Sequence, residues 1–321
     1  MFADAPDFNA WFPVPDGFPR PEWEAIRKFI ESHSTEDHWS AAWTEIARAW
    51  LERTCQALNG SYTLSESDNF HLISELEPKD ADQLHKFLER ARIGIIQSLG
   101  DIQLPKRYGK HAVLRFTDQD DYYRYISYFD PDGAWAGTGG RFIRESGYMH
   151  IAYPFDDRRD AEQKTLAHEL THNLLYSFPL PLWLNEALAM LFERNIAGDD
   201  RFVLDHDIAA EHQAYWNSVT IQDFWSGKAF AIAEAQTVSY TLARILLDFI
   251  VTDIHPSPAD FRDFVVHAHW KDSGQAAARD YLGVELNDLV SAFLGPGEWQ
   301  PRPMTDDKTT ANRQVTRDYD G

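Results

Sequence analysis

The alternation of apolar and polar positions changes character several times along the chain. Beyond Pro21, Trp23, Ile26, Phe29 and Ile30 recur on one face of a helix. A second helical run over 39–58 carries Trp43, Ile46, Ala47, Trp50 and Leu51, and Asn59-Gly60 stops it. A Trp stripe at this spacing is a packing face, so 1–58 reads as a helical N-terminal extension. After Gly60 short strands are expected at 62–64 and 70–74. A helix follows over 79–99, entered behind Pro78 and left at Gly100. The pattern then gives an apolar strand at 112–116 and a helix over 120–129. Residues 141–143 and 148–152 flank Glu145-Ser146-Gly147, which signals a hairpin. From Asp160 to about Leu294 the period is helical. Strands early and helices late predict an α+β domain over 59–297, with a small N-terminal sheet and a mostly helical C-terminal part. Residues 298–321 read as a flexible polar tail.

Composition narrows the function classes. The 321 residues, at ~150 per domain, suggest two folding units or one large domain with an extension. Against 51 acidic side chains stand 30 basic ones, a net charge of −21. With no run of Lys or Arg, such a chain repels nucleic acid and anionic membranes, and neither is expected as a partner. Cys55 is the one cysteine, which excludes an intrachain disulfide framework and a Cys-rich zinc module. The acidic, Pro-interrupted start has no signal-peptide pattern, and the apolar stretch 242–251 carries Arg244 and Asp248 and is too short to span a bilayer. A cytoplasmic location is the expectation.

The chemistry concentrates in Leu166-Ala167-His168-Glu169-Leu170-Thr171-His172-Asn173-Leu174, which contains His-Glu-x-x-His. Leu166, Leu170 and Leu174 place it on a helix, with Asp160 and Gln163 as a capping pair at the start. Four helical residues turn ~400°, so His168 and His172 stand one above the other and can share a metal. Glu169, offset by ~100°, flanks that metal and is placed to take a proton from water on it. Chance supplies about 0.03 such motifs in a chain of this composition. A third ligand is still required. Leu175 and Phe178 stand where a metzincin has Gly and His, which excludes that class. Pro179 and Pro181 break the helix, and 182–192 reads as the next one. If the link reverses the chain, Glu186 returns to the level of His172 and completes a His-His-Glu site for one Zn2+ per chain.

Together, His168-Glu169-Leu170-Thr171-His172 and Trp183-Leu184-Asn185-Glu186-Ala187-Leu188-Ala189 resemble the gluzincin zinc metallopeptidases. More narrowly, they are similar to the bacterial peptidase MA-like domains, with the similarity covering about 60–297, including Gly139-Gly140 before the hairpin. The resemblance implies a zincin-like domain, a peptide or protein substrate and catalysis by Glu169. It also implies an electrophile from a downstream helix, for which Tyr240 in Gln236-Thr237-Val238-Ser239-Tyr240 is the candidate. By the same resemblance the strand at 148–152 would border the cleft and pair with extended substrate. Met190 departs from the family, which often has there an acid that orients the first His; Glu193 is the alternative support. His150, His206 and His212 are expected to be structural or exposed, and His267 and His269 to form no site. The expected function is a zinc-dependent peptidase. The rivals are an inactive zinc-binding relative that serves as a protein-binding module, and a helical protein in which the motif is accidental.

Overall fold

A computed structural model describes residues 8–58, 60–104, 109–129, 139–197 and 204–304. The chain is α+β and divides into two compact units: 1–92 with 105–173, and 93–104 with 174–321.

The first unit opens with three helices, α1 (Phe8–Trp11), α2 (Trp23–His33) and α3 (Glu36–Ala57). Five strands follow: β1 (Thr63–Glu66), β2 (Phe70–Ser74), β3 (His111–Phe116), β4 (Arg141–Glu145) and β5 (Tyr148–Pro154). Helix α4 (Pro78–Ser98) starts after β2, α5 (Gln119–Ile126) lies between β3 and β4, and α6 (Arg159–Leu175) follows β5. The sheet order is β1-β2-β3-β5-β4. β2, β3 and β5 run parallel, and β1 and β4 are added antiparallel on the two sides. β2 is buried along its whole length and β3 at every residue after His111. Continuous apolar strands of this kind need helices on both faces.

One face is covered by the N-terminal helices. Trp23, Ile26 and Ile30 of α2 and Trp43, Ile46, Trp50 and Leu51 of α3 share a core with Ile73, Leu114, Phe116, Tyr148 and Ala152 of the sheet. The Trp23 and Tyr148 rings stack with centroids 3.7 Å apart. The helices expected as an extension thus bury their apolar face in the same core as the strands. On the other face, Arg115 of β3 and Tyr153 of β5 are register partners and both meet Glu162 of α6. The hairpin is formed as expected, with Ser146 (φ 47°) and Gly147 (φ 85°) as a two-residue turn. The segment at 148–152 departs from expectation: β5 is paired on both sides, with β3 and with β4. Its backbone groups are taken, so it cannot pair with substrate; among the described residues, β4 is the outer strand on this side of the sheet and β1 on the other.

The second unit is helical: α7 (Leu182–Ala197), α8 (His206–Tyr215), α9 (Thr220–Trp225), α10 (Ala233–Phe249), α11 (Pro258–His267), α12 (Gln275–Ala277) and α13 (Leu286–Leu294). α7 packs along α10, where Arg194 and Asp248 pair at 3.1 Å. The buried Trp183 indole donates to the Ser273 carbonyl at 2.9 Å, tying the start of α7 to the segment before α12. Residues 298–304, expected as the start of a flexible tail, are fastened here. Trp299 is buried, its carbonyl accepts from the Trp225 indole at 2.7 Å, and Arg302 N–H donates to Gln222. The Trp299 indole itself donates to the Gly295 carbonyl at 2.8 Å. Residues 305–321 lie outside the described residues. Among the described residues no helix is long and apolar enough to cross a membrane.

Candidate metal centre

Helix α6 puts Leu166, Leu170 and Leu174 in the core at the expected spacing, together with Ala167 and Thr171. His168, Glu169 and His172 are left half-exposed on the remaining face. The helix begins at Arg159, so Asp160 lies inside the first turn. The Asp160–Gln163 pair therefore does not cap it; Asp160 and Glu162 instead face the positive end of the helix dipole.

After Leu175 the chain turns through a short link. Phe178 N–H donates to the Leu175 carbonyl at 3.0 Å. Leu184 and Asn185 N–H donate to the Pro181 carbonyl at 3.0 and 3.1 Å, so α7 starts directly behind the proline. Glu186 follows on the first turns of α7 and is half-exposed, between the buried Asn185 and Ala187.

This helix–link–helix brings three donors together. One ring nitrogen each from His168 and His172 and one carboxylate oxygen from Glu186 lie within 4.8 Å of one another. The two imidazoles are nearly perpendicular, with centroids 4.8 Å apart and an angle of 79°. Donors on tetrahedral zinc at ~2.0–2.2 Å sit roughly 3.4 Å from each other, so side-chain rotations of about 1 Å close the group on an ion. Two imidazoles and one carboxylate leave a fourth position open, the pattern of a catalytic rather than a structural zinc site. The residues present fit the ion. Among the described residues this is the one such group of three His, Cys, Asp or Glu donors.

Glu169 is not part of the donor set. Its Oε2 accepts the main-chain N–H of Phe142 on β4 at 2.6 Å. The Phe142 ring lies 6.4 Å from that of His172. Gly140, just before β4, lies close against the helix. A Cβ there would overlap Thr165 Cγ2 and stand 3.4 Å from Glu169 Cγ. Gly139-Gly140 before a strand is a signal of close backbone approach, whereas no local feature of the sequence marks Phe142.

Tyr240 sits half-buried on α10, which packs along α7, its ring edge-on to Phe230 at 5.2 Å. It is outside the three-donor group. Met190, one turn after Glu186, lines a shallow recess with Ala187, Leu191 and Arg194 of α7 and Arg244, Leu247 and Asp248 of α10. The position is used for packing α7 on α10. His150 and His212 are buried, and burial pushes them down to about 3 and about 4. His206 is exposed. His267 stacks on Tyr281, and His269 accepts from Lys271 N–H.

Among family models, curated proteins and solved structures, none matches the chain.

Proposed function

We propose that the chain is a zinc-dependent hydrolase of gluzincin type, acting on peptides. The supporting observation is the convergence of His168, His172 and Glu186 on one point, with a carboxylate, Glu169, beside it on the same helix. A zinc ion held there supplies Lewis acidity, polarising a carbonyl and acidifying water toward a pKa of ~7. Glu169 takes the proton from the attacking water and returns it to the leaving amine. Tyr240 is proposed as the hydrogen-bond donor to the oxyanion that develops on the attacked carbonyl.

The test is zinc content followed by cleavage. The purified chain should carry about one zinc, and Glu186→Ala should release it. A peptide library should be cut by the parent, left intact after chelation, and cut again when zinc is restored. Less than half an equivalent of zinc, with none taken up on titration, would sink the proposal.

A second reading is a zinc-binding module without peptidase activity. One observation favours it: Met190, which stands where the resembled family often has an acid that orients the first His, lines the recess between α7 and α10. Such a chain would hold zinc and leave every library peptide intact.

A further inference from the structure

The hairpin register explains why Phe142 N–H is available to Glu169. A two-residue turn closes on the pair Glu145–Tyr148, and ladder hydrogen bonds in an antiparallel pair fall on alternate partners. Ile143–His150 and Arg141–Ala152 are then the bonded pairs, and Phe142–Ile151 is not. The Phe142 N–H therefore points away from β5, toward the outer side of the strand. There it meets Glu169 Oε2 at 2.6 Å. Gly140 keeps this part of the chain against α6, because no side chain stands between its backbone and Thr165.

We propose that the main-chain N–H of Phe142 is a positioning donor for Glu169, which rests on the peptidase reading of the same site. The bond holds Oε2 on the strand and leaves Oε1 to take the proton from the attacking water. An unheld glutamate samples several rotamers, and its two oxygens interchange by rotation about the last torsion. A charge-assisted bond from a backbone group, which has no side-chain freedom of its own, removes that rotation during folding. The cost of aiming the base is then met once and not at every turnover.

The experiment deletes this N–H by incorporating the α-hydroxy analogue of phenylalanine at 142, which turns the amide into an ester. The ladder with β5 loses no donor, since it does not use the 142 N–H, and only the Arg141 carbonyl facing Ala152 becomes a weaker acceptor. The ester variant should keep about one zinc. Its kcat should fall about tenfold, a part of the ~10²–10⁴-fold that a positioned base contributes, with KM changed less than about twofold. An activity-independent arm uses metal-free protein labelled with 15N-phenylalanine: the Phe142 amide proton should resonate downfield and move upfield in Glu169→Gln. An ester variant as fast as an active parent, or a Phe142 amide unmoved in Glu169→Gln, overturns the proposal. A parent that holds zinc but cleaves nothing defeats the peptidase reading instead.

Discussion

Arg115 on β3 donates through Nε to Glu162 Oε1 on α6, across 2.7 Å, with both side chains largely buried. The Tyr153 hydroxyl donates to the same oxygen at 3.0 Å. Two adjacent strands thus hold the first turn of the helix that carries His168 and His172. Breaking a buried pair leaves an uncompensated charge, so Glu162→Ala should lower stability by about 3 kcal/mol. The urea midpoint should fall with an unchanged m-value. A loss below about 1 kcal/mol would mean that Arg115, which also lies over the Phe155 ring, finds compensation elsewhere.

The approach of β4 to α6 makes a second prediction. Gly140→Ala drives a methyl into Thr165 Cγ2, so either the Thr165 side chain turns or strand and helix move apart. Activity should fall, and the added Thr165→Ala, which removes the obstructing methyl, should restore most of it. A Gly140→Ala variant as active as the parent, or a double variant no better than the single one, contradicts the close approach.

Acid should destabilise the fold through its buried histidines. His150 shares a 2.7 Å hydrogen bond with the Tyr125 hydroxyl and is fully enclosed. Burial first, and then the Arg20 guanidinium, hold it at about 3 against an ordinary 6.5. The unfolded chain takes up this proton near 6.5 and the folded chain does not until about 3. The contribution of neutral His150 to stability is therefore complete above 6.5 and lost as the pH falls from 6.5 to about 3. His71 and His212, each at about 4, act in the same direction. His150→Gln should make unfolding free energy less steep by about 1.4 kcal/mol per pH unit between about pH 6 and 4. Parallel curves for variant and parent would contradict the burial argument.

Tyr240→Phe removes one hydroxyl and keeps the ring against Phe230. If the hydroxyl donates to the developing oxyanion, kcat should drop ~10²-fold or more with zinc content unchanged. Unaltered turnover returns Tyr240 to a packing role on α10.

Much of the donor set was legible because metal ligation imposes a spacing on one continuous stretch. His168 and His172 are one turn apart, two prolines set the link, and Glu186 follows on the next helix. The strands and the hairpin turn were readable for a similar reason, since Ser146-Gly147 is local chemistry. What was not legible depends on pairing between distant segments. Nothing in the period of 148–152 says that β3 and β4 occupy both of its edges, and the resemblance alone made it the strand that faces substrate. Phe142 carries no local sign that its N–H will meet Glu169. The Trp stripes of α2 and α3 announced a buried face, but an apolar stripe does not name its partner, which is the sheet. Trp299 was lost in a polar run because a single indole has no periodicity.

The central claim, that zinc and Glu169 together perform hydrolysis, is tested most directly by Glu169→Gln, assayed for zinc and for peptide cleavage in one preparation. The substitution is nearly isosteric and leaves the three donors in place, while the side chain can no longer take a proton. The account predicts about one zinc per chain, as in the parent, with the cleavage rate reduced ~10²–10⁴-fold. A variant that loses its zinc, or one that cleaves as fast as the parent, would contradict it.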